Sequence, residues 1–243
     1  KEQAVVKSAS ALAGMLAMLL ATATAQAAPG PDDARLKALY DAEFKWRRAE
    51  EARTESFGPD SLTDRLPRVD PSSQARRLAY WDKVLAELDR IPLDRLSPQE
   101  RINAQVFRTA IEIEANQVRW RMYEIPFNTD TFFWTLAPGR GRGFQTADAY
   151  RRYIGRLRDI PRYFDENIAN MRAGLKRGFS NPKITLEGRD RTVEPYLDLG
   201  EANPLWGPFA AMPASIPAEE QARLKAEGAA VIRDVAAPAY GRL

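Results

Sequence analysis

Apolar residues recur at three- and four-residue steps along most of this chain, and proline, glycine and serine break the pattern into segments. From Asp32 to Glu55, Leu36, Leu39, Tyr40, Phe44 and Ala49 form one stripe among charged residues, which predicts a first helix. Phe57-Gly58-Pro59 ends it. The run from Asp64 through Leu66, Pro67 and Val69 to Pro71 predicts an extended linker, because its prolines fix φ and remove amide donors. Ser72 or Ser73 is then placed to cap a second helix carrying Leu78, Trp81, Leu85 and Leu88.

Ser97-Pro98-Gln99-Glu100 is the strongest start signal: a capping serine, a proline at the first helical position and a glutamate three residues on. It predicts a long helix with Ile102, Val106, Ala110, Ile113 and Trp120 on one side. Phe107, Ile111 and Val118 widen that side, so cover on more than one flank is expected. Residues 127–145 have loop chemistry. Thr146 is placed to cap a further long helix through Tyr150, Tyr153, Leu157, Ile160, Phe164, Ile168, Met171 and Leu175, with Pro161 expected to kink or divide it. Gly178 is a stop signal. Lys183–Leu186 could pair with Thr192–Val193 across Gly188 as a small hairpin. Proline dominates from Pro195 to Pro217, and a last helix is expected from Ala218 to about Ala236. The pattern therefore predicts a mainly α fold: long helices in an antiparallel array, a proline-rich segment and at most one small β-hairpin.

The apolar run Ala11–Leu20 is different, since it lacks a polar face and is shorter than the about 20 residues needed to span a bilayer. With Lys1 and Lys7 before it and Ala25-Gln26-Ala27 after it, residues 1–27 read as a secretory signal peptide, cleaved between Ala27 and Ala28. The domain reading is thus 1–27 signal peptide, 28–63 helix and linker, and 64–243 helical domain. The expected location is the periplasm or outside the cell, with membrane contact only through the signal peptide during export.

Composition narrows the chemistry. Hydrophobic residues make up 44% of the 243, enough for a folded core, and 36 Lys and Arg against 33 Asp and Glu leave a charge of only +3. So small an excess gives no reason to expect a nucleic-acid partner. No histidine and no cysteine is present, which removes the side chains behind most zinc sites, thiol nucleophiles, disulfides and serine-histidine relays.

Gly139-Arg140-Gly141-Arg142-Gly143 beside Phe144 looks like an RNA-binding tract, but a loop between helices explains it more simply, and it lacks the Gly-Lys-Ser/Thr ending of a phosphate loop. Phe132-Phe133-Trp134 could line a substrate cleft, with core packing as the simpler role. Glu112 and Glu114 stand two apart on a helix, and Asp165 and Glu166 are adjacent, so neither pair makes an acid-base dyad. These four, with Glu43, Glu50 and Glu51, are expected on solvated faces. Asn128 and Asp130 are too few for a calcium loop. No catalytic and no metal-binding residue is assigned.

Several stretches together carry a resemblance: Arg65-Leu66-Pro67, Ala75-Arg76-Arg77-Leu78-Ala79-Tyr80-Trp81, Arg101-Ile102-Asn103, and Tyr150-Arg151-Arg152-Tyr153 with Arg156-Leu157 and Ile160-Pro161. Asn170-Met171-Arg172-Ala173-Gly174-Leu175 through Gly178, Pro213-Ala214-Ser215-Ile216 and Pro238-Ala239-Tyr240 continue it. Over roughly Asp64 to Leu243 the chain resembles the amino-terminal half of the bacterial domain of unknown function 885 family. That resemblance implies an exported helical protein related to zinc metallopeptidases, whose carboxy-terminal half carries a His-Glu-x-x-His helix and acts on peptides. This chain departs from it in having no histidine. The expectation is therefore an incomplete, N-terminal scaffold part of a larger peptidase-like hydrolase, inactive by itself, with zinc a cofactor of full-length relatives only. The alternative is a non-catalytic periplasmic binding or interaction module.

Overall fold

The computed structural model describes residues 29–54, 61–128, 131–138 and 144–243. The segment read as a signal peptide with its expected Ala27–Ala28 cleavage point, the Phe57-Gly58-Pro59 stop, Asp130 and the glycine-arginine run 139–143 lie outside the described residues.

Among the described residues seven α-helices carry the fold: α1 (Asp33–Glu50), α2 (Pro71–Leu88), α3 (Pro98–Arg119), α4 (Ala147–Lys176), the single turn α5 (Gly207–Ala210), α6 (Ala218–Val231) and α7 (Ala237–Gly241). A π-helical segment, Ile232–Ala236, joins α6 to α7, so Pro238 falls in the first turn of a new helix, where it costs no hydrogen bond. Among the described residues there is no strand, only one isolated bridge between Arg53 and Leu62.

The hairpin expected at residues 183–193 is not formed. Lys183–Thr185 and Asp190–Thr192 are short 3-10 turns whose amides are used locally, Thr185 N–H to the Pro182 carbonyl at 2.9 Å and Thr192 N–H to Arg189 at 3.0 Å. The two threonine hydroxyls donate to the same carbonyls, at 2.7 and 2.5 Å, a local alternative that competes with strand pairing. Pro161 does not divide α4, which runs 30 residues without a break. Burial of Leu157, Ile160 and Phe164 on the inward face outweighs the missing amide.

Caps follow the sequence closely, with one shift. Ser97 accepts the Glu100 amide and Thr146 accepts the Ala149 amide. At α2, however, the cap is Asp70: its carboxylate accepts the amides and hydroxyls of both Ser72 and Ser73, which are themselves in the first turn. Pro71 at the first helical position explains the shift, because it places the cap one residue earlier than a serine could be. Burial works against the Asp70 charge, but these four donors outweigh it and hold the carboxyl below its ordinary range.

Two layers result. In the first, Asp82 pairs with Arg119 and Asp89 with Arg108, so α2 and α3 run antiparallel, with α1 against both. In the second, Arg151 pairs with Glu220 and Arg158 with Glu227, so α4 and α6 run in the same direction. The long irregular connection from Gly178 to Pro217 makes that parallel pairing possible. It is anchored by buried Tyr196, Leu205, Trp206 and Phe209, and the Tyr150 and Tyr153 hydroxyls donate to the Pro208 and Leu205 carbonyls, each at 2.9 Å.

The expected apolar side of α3 faces outward. Ile102, Val106, Ile113 and Trp120 are 53–73% exposed, whereas Ala104, Ile111 and Ala115 are buried against Trp81, Val84 and Leu88. Small residues let α2 approach closely and accommodate the Trp81 indole, so the face with alanines is the one that packs.

Candidate functional site

The linker between α1 and α2 lies extended across α4, and α4 holds it by its main chain. Asp159 accepts the Leu66 amide at 2.8 Å and Glu166 accepts the Val69 amide at 2.8 Å. Arg156 donates to the Arg65 carbonyl at 2.7 Å, Arg162 to Leu66 at 2.9 Å, and Asn170 to Val69 at 2.7 Å. Positions 156, 159, 162, 166 and 170 recur at three- and four-residue steps, which places them on one face of the helix. Arg162 also bridges Asp159, at 2.5 Å, and Glu166, at 2.9 Å, so donors and acceptors alternate along a satisfied ladder. Burial opposes ionisation at Asp159 and Glu166, but their amide and arginine partners outweigh it and hold both below the ordinary range.

Two clefts open where the end of α1 meets this linker, and they share Glu50 and Pro67. The first, about 270 Å³, is walled by Ala52, Leu66 and Asp159 and rimmed by Arg65, Arg68, Arg76 and Arg162. Ala52 is held at φ +54°, a left-handed conformation uncommon for a residue with a Cβ; its carbonyl accepts the Thr63 amide at 3.1 Å and the Thr63 hydroxyl at 3.0 Å. The second, about 220 Å³, is lined by Trp46, Trp81, Gln74, Arg77 and Glu114. Trp46 stacks on Tyr80 with ring centroids 3.7 Å apart and meets Trp81 edge-on. Burial raises the Glu114 carboxyl above its ordinary range, and Arg47 opposes the shift.

The acids assigned to solvated faces divide into two sets. Asp165 and Glu112 are surface groups, with side chains 64% and 47% exposed. Glu43 is not: it is 2% exposed, one heptad after Leu36 on the inward face of α1, and it accepts Arg47 at 3.1 Å and the Trp81 indole N–H at 3.5 Å. Those donors make its burial tolerable. Glu50 and Glu166 are also half-buried, Glu50 serving Arg77 at 3.0 Å and Arg76 at 3.4 Å. Glu43, Glu50 and Glu166 therefore hold elements together rather than face solvent.

Trp134 is 5% exposed within the largest core cluster, its indole donating to Thr192 at 3.1 Å and its carbonyl accepting the Tyr240 hydroxyl at 2.6 Å. Phe132 and Phe133 pack beside it. Sequence reasoning did not single out the linker clefts, because their arginines look like ordinary surface charge until the chain folds residues about 90 apart together. Among the described residues no group of three or more Asp or Glu converges as a metal site would require. The clefts hold guanidinium, carboxylate and indole groups, which suits them to binding charged and polar groups.

A family model described as a bacterial protein of unknown function, DUF885, matches residues 52–243, beginning twelve residues before the first resembling stretch at Asp64. A solved structure of the putative lipoprotein from Colwellia psychrerythraea is similar at a TM-score of 0.61 and 17% identity, over 86% of this chain and 40% of that one. The likeness shows a shared helical fold, and the chain spans well under half the length of that protein. No curated protein matches the chain. With a model match over residues 52–243, more than half of its length, the chain belongs to the DUF885 family.

Proposed function

We propose that the chain is the N-terminal scaffold portion of an exported, zinc-dependent peptidase-like hydrolase, contributing helices and one wall of a substrate cleft. One observation carries this reading: the structural likeness covers 86% of this chain but 40% of the longer helical chain it matches. The family resemblance supports the zinc and peptide chemistry. The residues here do not fit a zinc site, since histidine and cysteine are absent and no acid cluster forms among the described residues. Zinc would therefore be held by the part of the family fold that carries His-Glu-x-x-His. Export to the periplasm or beyond rests on the leader at residues 1–27, and no described helix is long and apolar enough to cross a membrane.

Metal analysis and peptide hydrolysis on two proteins test the reading. A full-length family member is expected to hold about one zinc and cleave peptides, and this 243-residue chain to do neither. Stoichiometric zinc on this chain, or a full-length member with neither property, would overturn it. The second reading, a non-catalytic binding module, is favoured by the paired clefts around Glu50 and Pro67; ligand binding by a metal-free full-length protein would select it.

A further inference from the structure

The first cleft has more positive charge than its acids can neutralise. Arg65, Arg68, Arg76 and Arg162 line it against Glu50 and Asp159 alone. Both acids are already engaged: Asp159 by Arg162 and the Leu66 amide, and Glu50 by Arg77 from the neighbouring cleft as well as by Arg76. Arg162 is consumed between Asp159 and Glu166. The other three guanidiniums keep donors to spare. Arg68 reaches Glu166 through one nitrogen at 2.8 Å, Arg76 touches Glu50 only at 3.4 Å, and the Arg65 side chain makes no hydrogen bond or ion pair among the described residues.

The surroundings add to the imbalance. Arg156, directly behind the linker, is bonded to the Arg65 and Ala52 carbonyls and, among the described residues, to no carboxylate, and burial together with nearby Arg53 pulls its guanidinium down to about 10. The walls are also rigid, since the linker is fixed by the α4 ladder and Ala52 is locked by three donors to its carbonyl. A fixed concave surface with unspent guanidinium donors is a recognition site for planar or tetrahedral oxyanions.

We propose that this cleft binds a small oxyanion, the carboxylate of an acid or peptide end or a phosphate group, with Arg65, Arg68 and Arg76 as its contacts. The assignment stands on the cleft alone and does not depend on the hydrolase reading. At about 270 Å³ the space admits the anionic group and a few further atoms, below the usual size of a site for a drug-sized ligand.

Calorimetric titration of the 243-residue chain at low ionic strength tests it with three probes: N-acetyl-dialanine, the same dipeptide as its C-terminal amide, and inorganic phosphate. Saturable binding of the free acid or of phosphate is expected, with none for the amide, and Arg65→Gln should weaken it about tenfold or more with an unchanged melting temperature. Binding of the acid alone assigns a carboxylate ligand; binding of phosphate alone assigns a phosphorylated one. No saturable binding of either anion, equal binding of the amide, or unchanged binding in Arg65→Gln would each overturn the proposal. So would an equal loss in Arg151→Gln, a surface arginine outside the cleft, since that would reduce the effect to net charge.

Discussion

The two layers of this protein are built from similar helices but closed by different means. Among the described residues, the α4 layer gathers 21 buried ones into one cluster rich in rings, from Trp134 and Phe144 through Tyr153 and Phe164 to Tyr240, whose ring stacks on Tyr196 at 4.4 Å. The α1–α3 layer has two clusters of five and four buried residues, and it leaves the Ile102–Trp120 stripe in solvent. Burial scales with apolar area, so the first layer holds itself together while the second depends on what it touches. Its linker attaches to α4 by the polar ladder under Leu66–Val69, with Leu66 itself buried in the α4 cluster.

That contrast can be broken at its strong side first. Phe164→Ala removes a fully buried ring that meets Phe133 and Tyr240 edge-on, and it should cost about 3–5 kcal/mol in urea unfolding, destabilising both layers. Ile111→Ala in the other layer should instead raise hydrogen exchange in α1–α3 while α4 amides stay protected. Equal loosening of both layers would show that they unfold as one.

Next in size is the aromatic seam at α6. A Cβ at Gly228 would lie 2.5 Å from the Phe209 ring, which is itself fully buried, so Gly228→Ala is expected to cost about 1–3 kcal/mol despite its better helix propensity. A rise in melting temperature would mean the ring has room to move.

The ladder should respond more locally. Asp159→Asn leaves the Leu66 amide and Arg162 a weaker partner, and exchange at Leu66 and Val69 should rise before global stability falls. Acid should have the same effect. Asp70, Asp159 and Glu166 are held below their ordinary values of 3.8, 3.8 and 4.5, so their contribution is fully present above those values and is lost as pH falls through the lower folded ones. Linker exchange that did not change between pH 5 and pH 3 would contradict that linkage.

The smallest effect on stability is expected at the α3 stripe. Ile113→Arg and Trp120→Glu should each shift stability by no more than about 0.5 kcal/mol, because both side chains already stand in water. They should, however, reduce self-association in light scattering, since an exposed apolar stripe is a contact surface. A wild-type chain that is already monomeric at high concentration would remove that expectation.

Helix positions were largely legible in the sequence because their signals are local: Ser97-Pro98, Thr146 and the proline-fixed linker each act within a few residues. The facing of α3 was not, since both its sides are apolar and only the presence of α2 decides which is covered. Glu43 was missed for a related reason. A charged residue on an inward stripe looks like surface until Arg47 and Trp81 arrive to satisfy it. The Leu66–Asp159 and Val69–Glu166 bonds join residues more than 90 apart, and no local pattern announces such pairs.

The ladder has one more consequence. Because α4 grips amides and carbonyls of the linker, besides burying the Leu66 side chain and pairing with Arg68, the helix performs for an extended segment the task that a sheet edge performs elsewhere. Register is therefore written in α4, while the side chain at 65, which α4 does not hold, stays open to change. Evolution could retune what the linker displays at that position without unseating the strand-like segment that displays it.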